Sequence, residues 1–411
     1  MRNSQSSRLT SSWQWLLGLF TIASFIEAAF WGQMSAFTPL YLPKLGVPPA
    51  DVNEWTGRIA SLASLIGIPL LPFWGALADR FGRQPIIVRS FVAHLIAGVV
   101  SLLAGNVWVF VVGRAVMSLS LGNSGLMMTT LSERAPSNRI GLAFSIMNTA
   151  APIGAFAGPL LGGPIVDAQG FPALLLIDTA LMLAVIVGMT FGYRDTFKAT
   201  SRDLLLGMAV DSVRIILRSA RLRALFPALF LLFAGWMLAF TYVPIATTAL
   251  YRGDDPGTAV GTVLGAGGFV ALLVGPVLGA LADRFGHWRV LFAGSLVTIA
   301  LWPLPGLMSD LIAFAIAWAM LNGVMSGVFA LSFSVLSGSA ASEVRGRVMS
   351  FAYLPVNVGY IIGPAIGSVV AKENVFNVFP VAAVITAVGV GALALAARIW
   401  RATVNLGETP I

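Results

Sequence analysis

Gly75-Ala76-Leu77-Ala78-Asp79-Arg80-Phe81-Gly82-Arg83 is the stretch on which the reading of this chain turns. A long apolar run stops there at a charged turn bracketed by glycines. The first eight residues recur unchanged as Gly279-Ala280-Leu281-Ala282-Asp283-Arg284-Phe285-Gly286, 204 residues later. A tight turn between two membrane helices accounts for the glycines. It does not account for the Asp-Arg pair in both copies. Two apolar half-chains with the same charged hinge imply two similar bodies that move against each other.

The flanking sequence sets the solvent. The 411 residues are 57% hydrophobic and 10% charged, with a mean hydropathy of +0.87. Soluble domains carry about 25% charged residues, so this chain cannot cover a water-facing surface. Its apolar runs are about 20 residues long, the length of a membrane-spanning helix rather than of a barrel strand. The 43 glycines and 22 prolines suit helices that approach closely and bend in lipid. The fold class is therefore an all-α membrane protein. The first twelve residues are polar. The apolar run after them is too long for a signal-peptide core and reads as the first span.

Twelve spans can be laid down, at 15–40, 55–78, 85–105, 107–131, 141–166, 171–192, 224–250, 258–281, 289–308, 311–336, 348–371 and 375–399. With the N-terminus cytoplasmic, that side collects 20 of the 25 basic residues. Lys44, Arg58, Arg252 and Lys372 fall outside, and Arg114 lies within a span. Acidic residues divide eight to seven, so the asymmetry belongs to lysine and arginine, as orientation in a membrane requires. Both termini are then cytoplasmic. The stretch 193–223 carries Arg194, Lys198, Arg202, Arg214, Arg218, Arg221 and Arg223 with apolar residues at helical spacing. It reads as a basic amphipathic helix at the cytoplasmic face, linking a bundle over 1–192 to one over 224–411. The net charge of +8 is thus a matter of sidedness, with membrane lipids rather than nucleic acid as the partner.

A second motif repeats at nearly the same interval. Gly154-x-x-x-Gly158-Pro159-x-x-Gly162-Gly163 in span five returns as Gly359-x-x-x-Gly363-Pro364-x-x-Gly367 in span eleven, 205 residues on. Ser368 stands where the last glycine would be, so the second copy is expected to pack more loosely. Two motifs with one period indicate six duplicated helices in a parallel repeat, two six-helix bundles related by an axis along the membrane normal.

Residues 75–83 and 154–163 carry a family resemblance that extends over essentially the whole chain. The chain resembles the major facilitator superfamily, whose loop signature after span two reads G-x-L-a-D-r-x-G-r. The span-five pattern is similar to that of its twelve-span drug–proton antiporters. The span-four signature, l-x-x-x-R-x-x-q-G, is met only in part: Arg114 is in place, but Met117 and Ser118 replace the glutamine and glycine. The resemblance implies a bacterial inner-membrane exporter, working as a monomer by alternating access about a central cavity.

Particular residues take roles within that frame. Gly75, Asp79, Arg80, Gly82 and Arg83, with Asp283 and Arg284, are expected to form a cytoplasmic gate. By resemblance, Asp79 would meet the start of span eleven near Arg345 and Arg347. A local surface pair of Asp79 with Arg80 or Arg83 is the simpler alternative. Glu27 lies about twelve residues into span one, where an acidic residue costs roughly 2.5–3.5 kcal/mol to insert. A carboxyl there that gains and loses a proton is what coupling to a proton gradient needs, and it would attract a cationic substrate. A structural, protonated glutamate is the alternative. Arg114 and Asp178 share a depth. They either pair with each other or, by resemblance, Arg114 biases the protonation of Glu27. In Gly154, Gly158, Pro159, Gly162 and Gly163 the proline bends the helix and the glycines allow tight packing, which at a seam between halves would limit leakage. Trp31, Phe37, Phe144, Asn148, Trp236, Tyr242, Tyr353 and Asn357 are candidates for an apolar substrate cavity. His94 and Arg89 read as structural, with Arg89 snorkelling to the interface.

The exclusions are firm. With no cysteine and two histidines at no shared spacing, neither a metal site nor thiol chemistry is expected. No G-x-x-x-x-G-K-[ST] loop is present, which speaks against direct ATP use, and nothing calls for a cofactor or an enzyme. The expected activity is export of lipophilic, including cationic, small molecules in exchange for protons. Import, siderophore or sugar export, or a non-transporting sensor on the same fold are the alternatives.

Overall fold

Among the described residues every long element is a helix, because long apolar runs leave the backbone no other way to satisfy itself in lipid. The computed structural model describes residues 12–67, 74, 77, 78, 80–195, 214, 217–339 and 353–405. The helices are α1 (Trp13–Tyr41), α2 (Val52–Gly67), α3 (Arg83–Leu102), α4 (Val107–Met117), α5 (Asn123–Arg134), α6 (Ile140–Gln169) and α7 (Phe171–Gly192). They continue with α8 (Ala220–Leu250), α9 (Pro256–Phe285), α10 (His287–Leu301), α11 (Pro303–Leu307), α12 (Leu311–Ser339), α13 (Leu354–Val370) and α14 (Val378–Asn405). Among the described residues, ten helical runs are long and apolar enough to cross a membrane. The two remaining predicted spans correspond to α2 and α13, and both run into residues outside the described set. Large apolar side chains such as Phe191, 76% exposed, point away from the protein, as lipid-facing residues do.

The helix ends follow local chemistry. Ser12 caps α1 by accepting from the Trp15 N–H. Asn106 caps α4 by accepting from Trp108 and Val109, and Ser219 caps α8.

The described chain forms two compact units. One comprises Met1–Val47 with Leu62–Leu205, the other Pro48–Ser61 with Leu206–Ile411. In the first unit α1 packs along α6, and α3 along α7. The glycine motif explains the first contact. A Cβ at Gly154 would stand 2.3 Å from the Phe25 carbonyl oxygen, and one at Gly158 2.6 Å from that of Ala29. Only glycine lets the two backbones meet. Gln33 reaches across and donates to the Gly158 carbonyl at 3.1 Å. The run therefore faces α1 within its own unit.

In the second unit α8 packs on α13 and α14, and α9 on α12. The second glycine motif acts in the same way: a Cβ at Gly363 would lie 2.6 Å from the Ala234 carbonyl oxygen of α8, and one at Gly367 2.3 Å from the Tyr242 ring. This copy is as tight as the first, contrary to expectation. Ser368 does not loosen it because its hydroxyl turns back to the Ala365 carbonyl. The opening part of α2 also belongs here. Asn53 donates to the Ala371 carbonyl and Ser61 to that of Ile361, each at 2.7 Å. Glu54 pairs with Arg58 and stands 3.9 Å from Lys372.

The greatest departure from the sequence reading lies in predicted span four. It is not one helix over 107–131. α4 stops at Met117, a 3-10 turn covers Ser118–Ser120, Leu121 is extended, and Gly122 at φ +100° starts α5. Serine and glycine close together weaken the helix here, and only glycine takes that backbone angle without strain.

Candidate functional site

The break in the fourth span creates a polar site in the first unit. Asn123 is the first residue of α5 and is buried. Its side-chain amide donates to Glu27 Oε2 at 2.7 Å. The other oxygen of Glu27 lies 3.6 Å from His94 Nδ1 on α3, and that nitrogen is also 3.3 Å from the Ser90 carbonyl. Glu27 is thus held from two helices. Its surroundings are otherwise apolar, with Phe30 stacked on His94 at 5.6 Å.

Arg89, one helical turn and a half before His94 on α3, closes the break. Its guanidinium donates to the Leu119 carbonyl and, at 3.1 Å, to the Leu121 carbonyl. In an uninterrupted helix these two oxygens would accept from Asn123 and Gly125. Trp74 lies over the guanidinium with 3.4 Å to its ring centroid, and a Cβ at Gly122 would come within 3.2 Å of the same tryptophan. Arg89 therefore does not snorkel to an interface. The carbonyl of Leu121 that it holds lies two residues before Asn123, the donor to Glu27.

Arg114 and Asp178 are both deeply buried, and no ion pair joins them. Arg114 reaches Met117 Sδ at 3.5 Å while its Nε has no partner; Asp178 Oδ2 has none either. Sequence reasoning placed Glu27 correctly in an apolar span but missed Asn123 and the role of Arg89. The available signal was the run Ser118-Leu119-Ser120-Leu121-Gly122-Asn123-Ser124-Gly125, turn chemistry in the middle of a span.

At the loop signature only part of the expected gate falls among the described residues. Gly75, Asp79, Arg345 and Arg347 lie outside the described residues. Arg83 is buried and grips Glu133 at the end of α5 through two parallel bonds of 2.7 and 2.8 Å. Its backbone N–H, with that of Gln84, donates to Asp195 beyond α7 at 2.5 and 3.3 Å. Gly82 takes φ +94° at this corner. In the second copy Asp283 lies 3.5 Å from His287, which replaces the arginine. Arg80 lies over Phe81 and Arg284 over Phe285 in matching fashion.

The aromatic and amide candidates divide by exposure. Trp31, Phe144, Asn148, Trp236, Tyr353 and Asn357 retain accessible surface. Phe37 and Tyr242 are fully buried and line no open space in this conformation. Phe37 packs on Phe171, and the Tyr242 hydroxyl donates to the Asn53 carbonyl at 3.2 Å. Trp236 donates to Asn322, whose amide in turn donates to the Gly267 carbonyl at 3.0 Å. Asn322 so ties α8, α9 and α12 together and was not anticipated. The linker 193–223 lies mostly outside the described residues; within it, Arg221 stacks on Trp400 at 5.5 Å.

A polytopic helical protein with a duplicated charged loop and a carboxylate held inside a bundle is a membrane transport protein in outline, and comparison with known proteins places it. The model of the Major Facilitator Superfamily matches residues 19–301 and 254–408; the chain belongs to that superfamily and is a transport protein rather than an enzyme. It is 29% identical over 382 residues to the multidrug resistance protein MdtG of Yersinia enterocolitica, covering 90% of this chain and 91% of that one. To the protein of the same name from Enterobacter lignolyticus it is 28% identical over 400 residues, covering 92% and 91%. Among solved structures, the POT family transporter PepTSo superposes with a TM-score of 0.75 at 16% identity, covering 94% of this chain and 98% of that one. A D-xylose–proton symporter does so with 0.73 at 16% identity, covering 93% and 96%. These structures share the fold.

Proposed function

We propose that this chain is a bacterial inner-membrane antiporter that exports lipophilic small molecules, cationic ones included, in exchange for protons by alternating access. Twelve spans in two six-helix repeats, 1–192 and 224–411, form the working unit, with both termini and the basic linker in the cytoplasm. The relatives named for multidrug resistance support the substrate class. The observation that carries proton exchange is Glu27: a carboxyl inside an apolar helix, bonded to Asn123 and beside His94. Asp178, buried with an unpartnered carboxylate oxygen, is a further place where charge can change during a cycle, and Arg114 is a fixed positive charge that biases the protonation of Glu27. Trp31, Phe144 and Asn148 in the first unit, and Tyr353 and Asn357 in the second, are the proposed substrate contacts. The cytoplasmic gate is assigned to Asp79 with Arg345 and Arg347, supported by Arg83 on Glu133.

The test is transport in proteoliposomes with an imposed pH gradient and a panel of lipophilic cations. Wild type should drive a cation against its gradient when the pH gradient is imposed. Glu27→Gln should insert normally, bind the cation, and lose the pH-driven component. Coupling that persists in Glu27→Gln refutes the role of this residue. Flux independent of pH in the wild type points to uncoupled transport, and the absence of any flux to a sensor.

A further inference from the structure

We propose that the interruption between α4 and α5 is a two-state element thrown by the proton on Glu27, with Asn123 and Arg89 as the residues that position it. The inference rests on the antiporter reading and extends it from a titrating carboxyl to the helix that the carboxyl moves.

The interrupted form holds together through three sets of contacts. Arg89 supplies donors to the Leu119 and Leu121 carbonyls, replacing the helical N–H groups of Asn123 and Gly125. Trp74 covers that guanidinium and packs against Gly122. Glu27 accepts from Asn123 at the start of α5, where the freed N–H groups and the dipole of a twelve-residue helix favour negative charge. The third suits an ionised Glu27, and the first two hold the helix start to which it binds. Once Glu27 is protonated, the attraction to the helix start is lost and the amide contact weakens. The carbonyls of Leu119 and Leu121 can then return to helical partners, and span four becomes continuous. Low pH therefore favours the continuous helix and high pH the interrupted one.

The ionisable surroundings of Glu27 are few. α3 contributes His94 and Arg89, and α4 the buried Arg114. α5 has only Glu133 and Arg134, at its far end. The helices packed along α1 hold one ionisable residue each, Asp167 near the end of α6 and Asp178 on α7. His94 is the one group that could itself take the proton. Its Nδ1 faces both Glu27 and the Ser90 carbonyl; a proton on His94 would leave Glu27 ionised and keep the Asn123 contact, so the release requires the proton on Glu27 itself.

The native chain has no cysteine, so two can be introduced as the only labelling sites. Nitroxides at Val109→Cys and Thr129→Cys, on exposed faces of α4 and α5, would report the length of span four in full-length protein in lipid nanodiscs. A continuous helix sets the attachment points about 30 Å apart along its axis. Wild type should show two distances, with the population near the continuous value growing as pH falls from 8 to 5. Glu27→Gln should hold that value at both pH values, and Asn123→Ala and Arg89→Leu should raise its share by about tenfold, the equilibrium weight of one charge-assisted hydrogen bond. Hydrogen exchange of the amides at 119–125 in unlabelled protein gives the same information if a labelled variant folds poorly. One distance unchanged by pH and by Glu27→Gln, or exchange at 119–125 indifferent to both, overturns the inference. If pH-driven transport persists while the helix stays fixed, the switch fails and the antiporter reading stands. If the helix responds to pH in a protein that moves no proton, the switch stands and the antiporter reading fails.

Discussion

At the scale of single residues, buried polar groups decide most of what can be tested. Arg83 is almost fully buried while Glu133 is half exposed, so the pair gains from bidentate geometry but loses to solvent screening. A double-mutant cycle with Arg83→Gln and Glu133→Gln should return a coupling of about 1 kcal/mol in the thermal unfolding of detergent-solubilised protein. Additive effects would mean that the two bonds contribute nothing. Asn322 is the sharper case. Asn322→Leu leaves the Trp236 indole N–H without its acceptor and the Gly267 carbonyl without its donor. A loss of about 1–3 kcal/mol is expected, whereas Asn322→Gln, which keeps both functions, should recover part of it. These residues were only half legible in the sequence. Glu27 announced itself because a carboxylate in hydrocarbon is costly. Asn123 and Asn322 did not, because an amide is tolerated on either face of a span and its partner lies on another helix.

At the scale of elements, helix packing was legible where it depends on small residues and illegible where it depends on a broken backbone. The glycine motifs of α6 and α13 could be read directly, because a side chain at those positions would have to occupy a neighbouring backbone. Gly158→Val places its Cβ against Ala29 backbone atoms at 2.6 to 3.0 Å, which no rotamer relieves. It should separate α1 from α6, destabilise the protein by about 1–3 kcal/mol and abolish transport. Gly363→Val should do the same to α8 and α13. Gly141→Ala, at a position on α6 with nothing within 4 Å, is the control and should leave the melting temperature unchanged. Comparable losses at Gly141 and Gly158 would show that contact with α1 does not set the cost, since helix propensity alone favours both replacements over glycine. The break in span four escaped the sequence reading for a different reason. The turn residues Ser118–Gly125 marked the place, but a break in a span leaves carbonyls unpaired, and here they are satisfied by Arg89 from another helix, which no local window shows.

At the scale of the whole molecule, the division of α2 is the feature with the largest consequence. Its sequence belongs to the first predicted repeat, yet Pro48–Ser61 belongs with the second unit and Leu62 onward with the first. The polar contacts that attach it include Asn53 to the Ala371 carbonyl, Ser61 to that of Ile361, and Tyr242 to the Asn53 carbonyl, with Glu54 near Lys372. Single hydrogen bonds of this kind are each worth only about 0.5–1.5 kcal/mol net, so such a contact can be exchanged during a cycle. If the chain works by alternating access, the start of α2 must leave α13 once per turnover. Cysteines at Asn53 and Ala371 would be the only thiols in the protein, and a short bifunctional methanethiosulfonate can link them across the contact of Asn53 with the Ala371 carbonyl. The crosslink should reduce export at least about tenfold, and a reductant should restore it, while substrate binding measured by equilibrium dialysis persists. A locked protein that exports at the rate of its reduced form would show that this end of α2 stays in place throughout, and would remove alternating access of the proposed kind from consideration.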